Sequence, residues 1–163
     1  MKRKILISIH PEHVQNILNG RKKYEFRKIV AKQTINSILI YETSPTMKIV
    51  AEVDVKGVLT GAPNEIWQQT YNSSGITKEY FDAYFKGRKI AHAYKLGKIK
   101  IFESAKTLSD YGIKSAPQSF IYLEEKSSGL VKTFVVYVCT AKEVLIWHEK
   151  KIQSKRAALH RMV

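Results

Sequence analysis

Residues 20–27, Gly-Arg-Lys-Lys-Tyr-Glu-Phe-Arg, constrain this chain more than any other stretch. A glycine at 20 ends a helix, since glycine enters the left-handed conformation of a helix cap without a Cβ penalty. The residues after it alternate aromatic and charged. A strand points successive side chains to opposite faces. Tyr24 and Phe26 therefore face a core, while Glu25 and Arg27 face a surface or cleft with Lys22 at its mouth. Two cations suit an anion, and a carboxylate beside them orients them or accepts a proton. The same triplet also suits an ion-pair ladder on an exposed strand, worth roughly 0.2–1 kcal/mol. The residues alone leave both readings open.

The rest of the chain reads as strands interrupted by short helices. Residues 4–10 are rich in β-branched side chains and predict a strand. Pro11 and Glu12 then open a helix, with Val14, Ile17 and Leu18 on one apolar face. A second strand covers 22–28. Segments 37–43 and 48–59 predict an antiparallel hairpin around Ser44-Pro45-Thr46. Two short helices follow, 63–71 and one capped by Thr77, the latter presenting Phe81 and Phe85 and stopping at Gly87. A strand over 92–102 carries Gly97 as a bulge or kink. A helical turn is expected at 108–112, an extended segment at 116–123, a polar turn at 124–129 and a strand at 132–139. The last segment, 141–161, predicts a helix with a basic face of Lys150, Lys151, Lys155, Arg156 and Arg161. The fold class is α+β, built around a small twisted β-barrel with short helices at its mouth and a C-terminal helix.

At 163 residues the chain suffices for one domain with a core of its own. Lys and Arg number 28 against 14 Asp and Glu, a net charge of +14, which points to a polyanion and first to nucleic acid. Charge that serves only solubility is the alternative. The single cysteine, Cys139, forms no internal disulfide and has no neighbours at zinc-ligand spacing, which suits a reducing compartment. No metal or cofactor is expected, and His148 and His160 show no metal spacing with any acid. The apolar run after the N-terminal Met-Lys-Arg-Lys is too short for a signal peptide, and no stretch reaches the ~18 apolar residues of a membrane span. The expectation is a cytoplasmic protein without membrane contact.

With these elements placed, the sequence resembles the ASCH family of the PUA-like superfamily. The resemblance begins at Ser8-Ile9-His10-Pro11-Glu12 and continues through Gly-x-Lys-x-x-Glu-x-Arg at 20–27. It resumes at Tyr80-Phe81-Asp82-Ala83-Tyr84-Phe85-Lys86-Gly87 and ends at Ala116-Pro117-Gln118-Ser119-Phe120-x-Tyr122. This assigns 1–125 to an ASCH/PUA-like domain; residues 126–163, outside the resemblance, are expected to form a strand-helix extension packed on the same domain. The resemblance implies a compact barrel with a cleft holding Lys22, Glu25 and Arg27. It also implies binding of RNA or of modified nucleosides. Some small members resemble amidohydrolases that remove an acyl group from a modified cytidine. In those a threonine stands where this chain has Glu25, and a carboxylate does not repeat a hydroxyl nucleophile's role.

The candidate nucleic-acid-binding residues are His10, Lys22, Glu25, Arg27, Tyr84, Gln118 and Ser119. His10 ends the first strand and faces the same cleft, or simply caps or packs against the helix. Tyr84 offers a ring for base stacking. Gln118 and Ser119 either bond a base edge or satisfy neighbouring backbone. The expected function is binding of single-stranded RNA or a modified nucleotide, DNA being open because phosphate contacts look alike in both. The alternative is a hydrolase, a ribonuclease or a nucleoside amidohydrolase, with Glu25 as general base and Lys22 stabilising the oxyanion. A third reading is a protein-interaction module.

Overall fold

Two neighbouring strands of this chain are buried on both faces, and that sets the architecture. In β1 (Arg3–Ile9), Ile5, Ile7 and Ile9 enter one apolar cluster while Leu6 enters another. In β3 (Ser37–Glu42), Ile38 and Ile40 join the first cluster, and Leu39 and Tyr41 the second. Strands covered on both faces read as continuous apolar runs, and β1 and β3 pair in parallel, the arrangement that favours such burial. A computed structural model describes residues 3–128 and 131–138.

The chain order is β1, α1 (Pro11–Leu18), β2 (Tyr24–Arg27), β3, β4 (Lys48–Gly61), α2 (Pro63–Thr70), α3 (Lys78–Phe85), β5 (Ala91–Lys106), β6 (Ile121–Ser128) and β7 (Val131–Val138). Single 3₁₀ turns lie at Tyr71–Ser73 and Ser109–Tyr111. The strands form one seven-stranded mixed sheet in the order β2-β5-β4-β3-β1-β6-β7, antiparallel except for β1 and β3. The described strands form a mixed sheet with short helices, in line with the α+β class expected; no pairing joins β2 to β7 among the described residues, so the sheet is not closed into the small β-barrel expected.

The hairpin of β3 and β4 forms as expected, around a cis Ser44-Pro45 bond. Residues 48–59 alternate apolar and polar side chains only imperfectly, and the ladder of β4 is irregular in turn. Its pairing with β5 slips between Ile49 and Ala51, between Val53 and Val55, and between Val55 and Gly57. A bulge adds a residue and bends the strand. Gly97 sits against this region, where a Cβ would lie 2.6 Å from Lys56 Cε and 3.0 Å from Asp54 Cβ. One expectation is corrected: residues 124–128 continue β6 and pair with β7 instead of forming a polar turn. Of the extended segment expected at 116–123, residues 121–123 belong to β6 and 116–120 lead into it. The helix expected at 141–161 and Cys139 lie outside the described residues, as do His148 and His160.

The third apolar cluster positions the site. Phe26 of β2, Ile66 of α2, Phe81 and Phe85 of α3, and Ala91 and Ala93 of β5 pack together, with Phe26 edge-on to Phe81 at 5.1 Å. Each large side chain so buried contributes about 1.5–3 kcal/mol. This packing clamps the core face of β2, so its opposite face is held toward α1 and the end of β1. No helix among the described residues is long and apolar enough to cross a membrane.

Candidate functional site

The cleft forms where β1, α1, β2 and α3 converge. α1 begins directly after β1, because Pro11 supplies the helical φ and needs no N–H in the first turn. His10 is the capping residue by backbone, yet its imidazole makes no capping hydrogen bond and is exposed. One helical turn on, His13 lies 6.1 Å from the His10 ring and 5.0 Å from the Tyr80 ring. Its Nε2 is 3.0 Å from the Tyr80 hydroxyl, while Nδ1 is buried without a hydrogen-bond partner. Burial first, then the nearby Lys22 ammonium, lowers the His13 pKa below its ordinary 6.5.

Lys22, Glu25 and Arg27 meet in this cleft. Glu25 takes both cations: Lys22 Nζ is 3.7 Å from Oε2, and Arg27 lies 3.6 Å from Oε1. Lys22 is not at the mouth but on the floor, 3% exposed, with Nζ 4.6 Å from the Phe26 ring centroid and donating weakly to the Ser74 carbonyl at 3.4 Å. Burial lowers its pKa from 10.5, more than Glu25 raises it. The cage over Lys22 is the segment after α2. Lys23 N–H donates to the Ser73 carbonyl, and Asn16 donates to the Gly75 carbonyl.

The cleft holds about 150 Å³ and is lined by Ser8, Ile9, His10, His13, Lys22, Glu25, Phe26, Arg27, Ile76, Tyr80 and Tyr84. Five of the seven expected residues therefore share one cavity: His10, Lys22, Glu25, Arg27 and Tyr84. Ser119 reaches it through its backbone carbonyl, which accepts a hydrogen bond from Arg27. Gln118 is exposed and outside the cleft lining. Tyr84 carries Lys28 over its ring at 4.7 Å, so a cation already occupies one face of the expected stacking platform. Ser8, His13 and Tyr80 are additional lining groups. His13 was findable: Pro11 at the first helical position makes residue 13 the next residue on the His10 side.

The arrangement places two cations and one carboxylate around a small cavity with imidazole and phenol at its rim. It can hold an anionic oxygen and move a proton. No cluster of acids, histidines and cysteines able to hold a metal is found among the described residues.

Comparison with known proteins adds the lineage. The sequence model of the ASCH domain matches residues 7–154. The chain belongs to the ASCH domain family. Large ribosomal subunit protein uL22 of Ureaplasma parvum serovar 3 is 35% identical over 121 residues, which are 74% of this chain and 39% of that protein. ATP synthase subunit alpha of the same organism is 31% identical over 125 residues, 76% of this chain and 16% of that protein. This ASCH chain thus spans well under half the length of either. An ASCH domain-containing ribonuclease of Zymomonas mobilis is 25% identical over 96 residues, 58% of this chain and 65% of that protein. The crystal structure of ASCH from Zymomonas mobilis superposes with a TM-score of 0.68 at 23% identity, covering 74% of this chain and 87% of that one, a likeness of fold.

Proposed function

We propose that this ASCH chain binds RNA, taking a single strand or a modified nucleotide into the Lys22–Glu25–Arg27 cleft. The observation that carries the reading is the buried Lys22, which shares one carboxylate with Arg27. Two cations against one anion leave a positive charge in a cavity of limited hydration, the condition under which a phosphate or a carbonyl oxygen is held strongly. Arg27 contacts the anion in a forked geometry, Lys22 supplies a point charge, and Glu25 orients both or accepts a base N–H. The cavity of about 150 Å³ suits one phosphate or base edge at a time. An unpaired strand suits such a cleft better than a duplex, whose base edges stay stacked. A net charge of +14 favours association with any polyanion, and a cytoplasmic setting belongs to the same reading.

A second reading is hydrolysis, and the relative named an ASCH domain-containing ribonuclease favours it. Glu25 would then act as general base, Lys22 would stabilise developing negative charge, and Arg27 would place the substrate. Action on an acylated nucleoside is a variant of that reading, with Glu25 where a threonine serves in the amidohydrolase-like members.

The test is fluorescence anisotropy with labelled single-stranded RNA and matched DNA at two salt concentrations. Wild type runs beside Lys22→Ala/Arg27→Ala, with folding checked by circular dichroism. The expected result is binding in moderate salt that falls at least about tenfold in the variant, about 1.4 kcal/mol. A variant that binds like wild type sinks the cleft as the RNA site. Gel analysis of the same samples separates binder from enzyme: intact RNA supports binding alone, and cleavage that Glu25→Gln slows supports hydrolysis.

A further inference from the structure

We propose that a single RNA strand, once anchored in the cleft, leaves it over Tyr84 and along a basic track formed by Lys28, Lys86, Arg88 and Lys89. The inference rests on the RNA reading of the cleft and extends it to a second surface. Tyr84 belongs to the cleft lining, and Lys28 stands over its ring. One residue later α3 ends, and 86–90, Lys-Gly-Arg-Lys-Ile, are all exposed. Gly87, at φ 74, and the Arg88 N–H bonded to the Phe85 carbonyl turn the chain there. β2 pairs with β5 so that Arg27 faces His92. Lys28 therefore lies beside Ala91, where the turn enters β5. Four cations from two separate segments thus share one end of the β2–β5 edge, and β2 is an outer strand of the sheet.

No counter-charge accompanies them in sequence. The chain has no Asp or Glu between Glu25 and Glu42, nor between Asp82 and Glu103. Asp82 is held by Lys78, and Glu25 by the cleft cations. Clustered like charges repel each other unless a polyanion lies across them. Continuity with an aromatic and an arginine in the cleft favours a nucleic-acid strand over an acidic peptide, because interleaved cations and rings track a single strand.

The experiment measures binding of a labelled uridine dinucleotide and a labelled oligo-U dodecamer across a salt series. Wild type is compared with Lys28→Gln/Lys86→Gln/Arg88→Gln/Lys89→Gln. A control variant, Lys48→Gln/Lys98→Gln/Lys100→Gln/Lys106→Gln, removes as much charge elsewhere on β4 and β5. The track variant is expected to lose about 10–100-fold for the dodecamer at low salt, with the slope of log K against log salt reduced by up to about 3. Its dinucleotide affinity stays within about twofold, since the one phosphate that links two nucleosides is held in the cleft and none is left for the track. Equal loss in the control variant overturns the track, as does equal loss for the dinucleotide. A poly-glutamate peptide that binds wild type as tightly as the dodecamer overturns it in favour of an acidic protein partner. A wild type that binds the dinucleotide and gains nothing with length overturns the track alone. A wild type that binds neither length overturns the RNA reading itself.

Discussion

A lysine ammonium loses most of its hydration when only 3% of the residue meets water, and Lys22 is in that position. Burial lowers its pKa from 10.5 despite the Glu25 carboxylate. In the interval just below 10.5 the unfolded chain therefore binds more protons at this position than the folded chain, and stability rises with pH across that interval. The buried tyrosines act in the opposite sense at higher pH. Burial raises Tyr84 and Tyr111, and pushes Tyr94 up to about 12, so the folded state resists their ionisation and loses stability above pH 10. Urea unfolding of wild type and Lys22→Met at several pH values up to 10 isolates the lysine. The wild type is expected to gain on the variant as pH rises toward 10, and parallel curves would sink the assignment. At this scale the sequence was legible where alternation decides orientation. Phe26 is in the core, and Glu25 and Arg27 stand side by side on the cleft face, as the strand period requires. The depth of Lys22 was not legible, because the cage comes from residues 73–75, some fifty positions away. The hydrogen bond between His13 and Tyr80 was hidden for the same reason.

Short elements carry the site, and their ends matter more than their interiors. α3 starts where the Thr77 hydroxyl accepts from Tyr80 N–H, a cap worth about 1 kcal/mol. The segment before it crosses Lys22 at Gly75, and Gly87 turns the chain after it. Both glycines have positive φ, 63 and 74, but their surroundings differ. A Cβ at Gly75 would lie 2.4 Å from Lys22 Cβ and 2.9 Å from its Cα, whereas at Gly87 nothing lies within 4 Å. Gly87→Ala is therefore expected to cost only the left-handed penalty, about 1–2 kcal/mol, with cleft binding unchanged. Gly75→Ala adds a backbone clash and must displace either the segment or Lys22. It is expected to destabilise more and to weaken dinucleotide binding as well. Thermal melts and dinucleotide titrations check the pair, and equal effects at the two positions would show that the cage does not set Lys22. Most element positions were readable from β-branched runs, Pro11, Gly20 and Thr77. The error fell where a partner overrides composition. Glu124 to Ser128 read as a turn, yet β7 offers a strand to pair with. Residues 116–120, part of the extended segment expected at 116–123, stay outside the ladder. Pro117 has no N–H for a ladder, and its carbonyl and that of Ser119 accept bonds from Ser8 and Arg27 instead.

For the molecule as a whole, the cleft draws its side chains from about the first half of the chain, although β1, which contributes to it, pairs with β6. β2 and β5 lie at one end of the sheet, with β6 and β7 at the other. Every side chain lining the cleft comes before residue 85, while β6 supplies Ile121 and Leu123 to one core cluster and Tyr122 to another. A chain stopped after Ser128 thus keeps β6 on β1, through the pairs from Arg3–Glu124 to Leu6–Ile121, but leaves its outer edge without β7. An eight-residue unpaired edge is a template for another chain. The truncated protein is expected to stay folded, melt at a lower temperature and self-associate with rising concentration, which sedimentation velocity detects. It also loses seven cations and two carboxylates, so the net charge falls from +14 to +9. Dinucleotide affinity is expected to hold within about twofold, as for distant independent sites. The salt slope for the dodecamer changes only if the removed cations meet the strand. Lost dinucleotide binding in a folded truncated protein would mean that the C-terminal part completes the cleft. That result would extend the site from β1, α1, β2 and α3 to the β6–β7 side of the sheet.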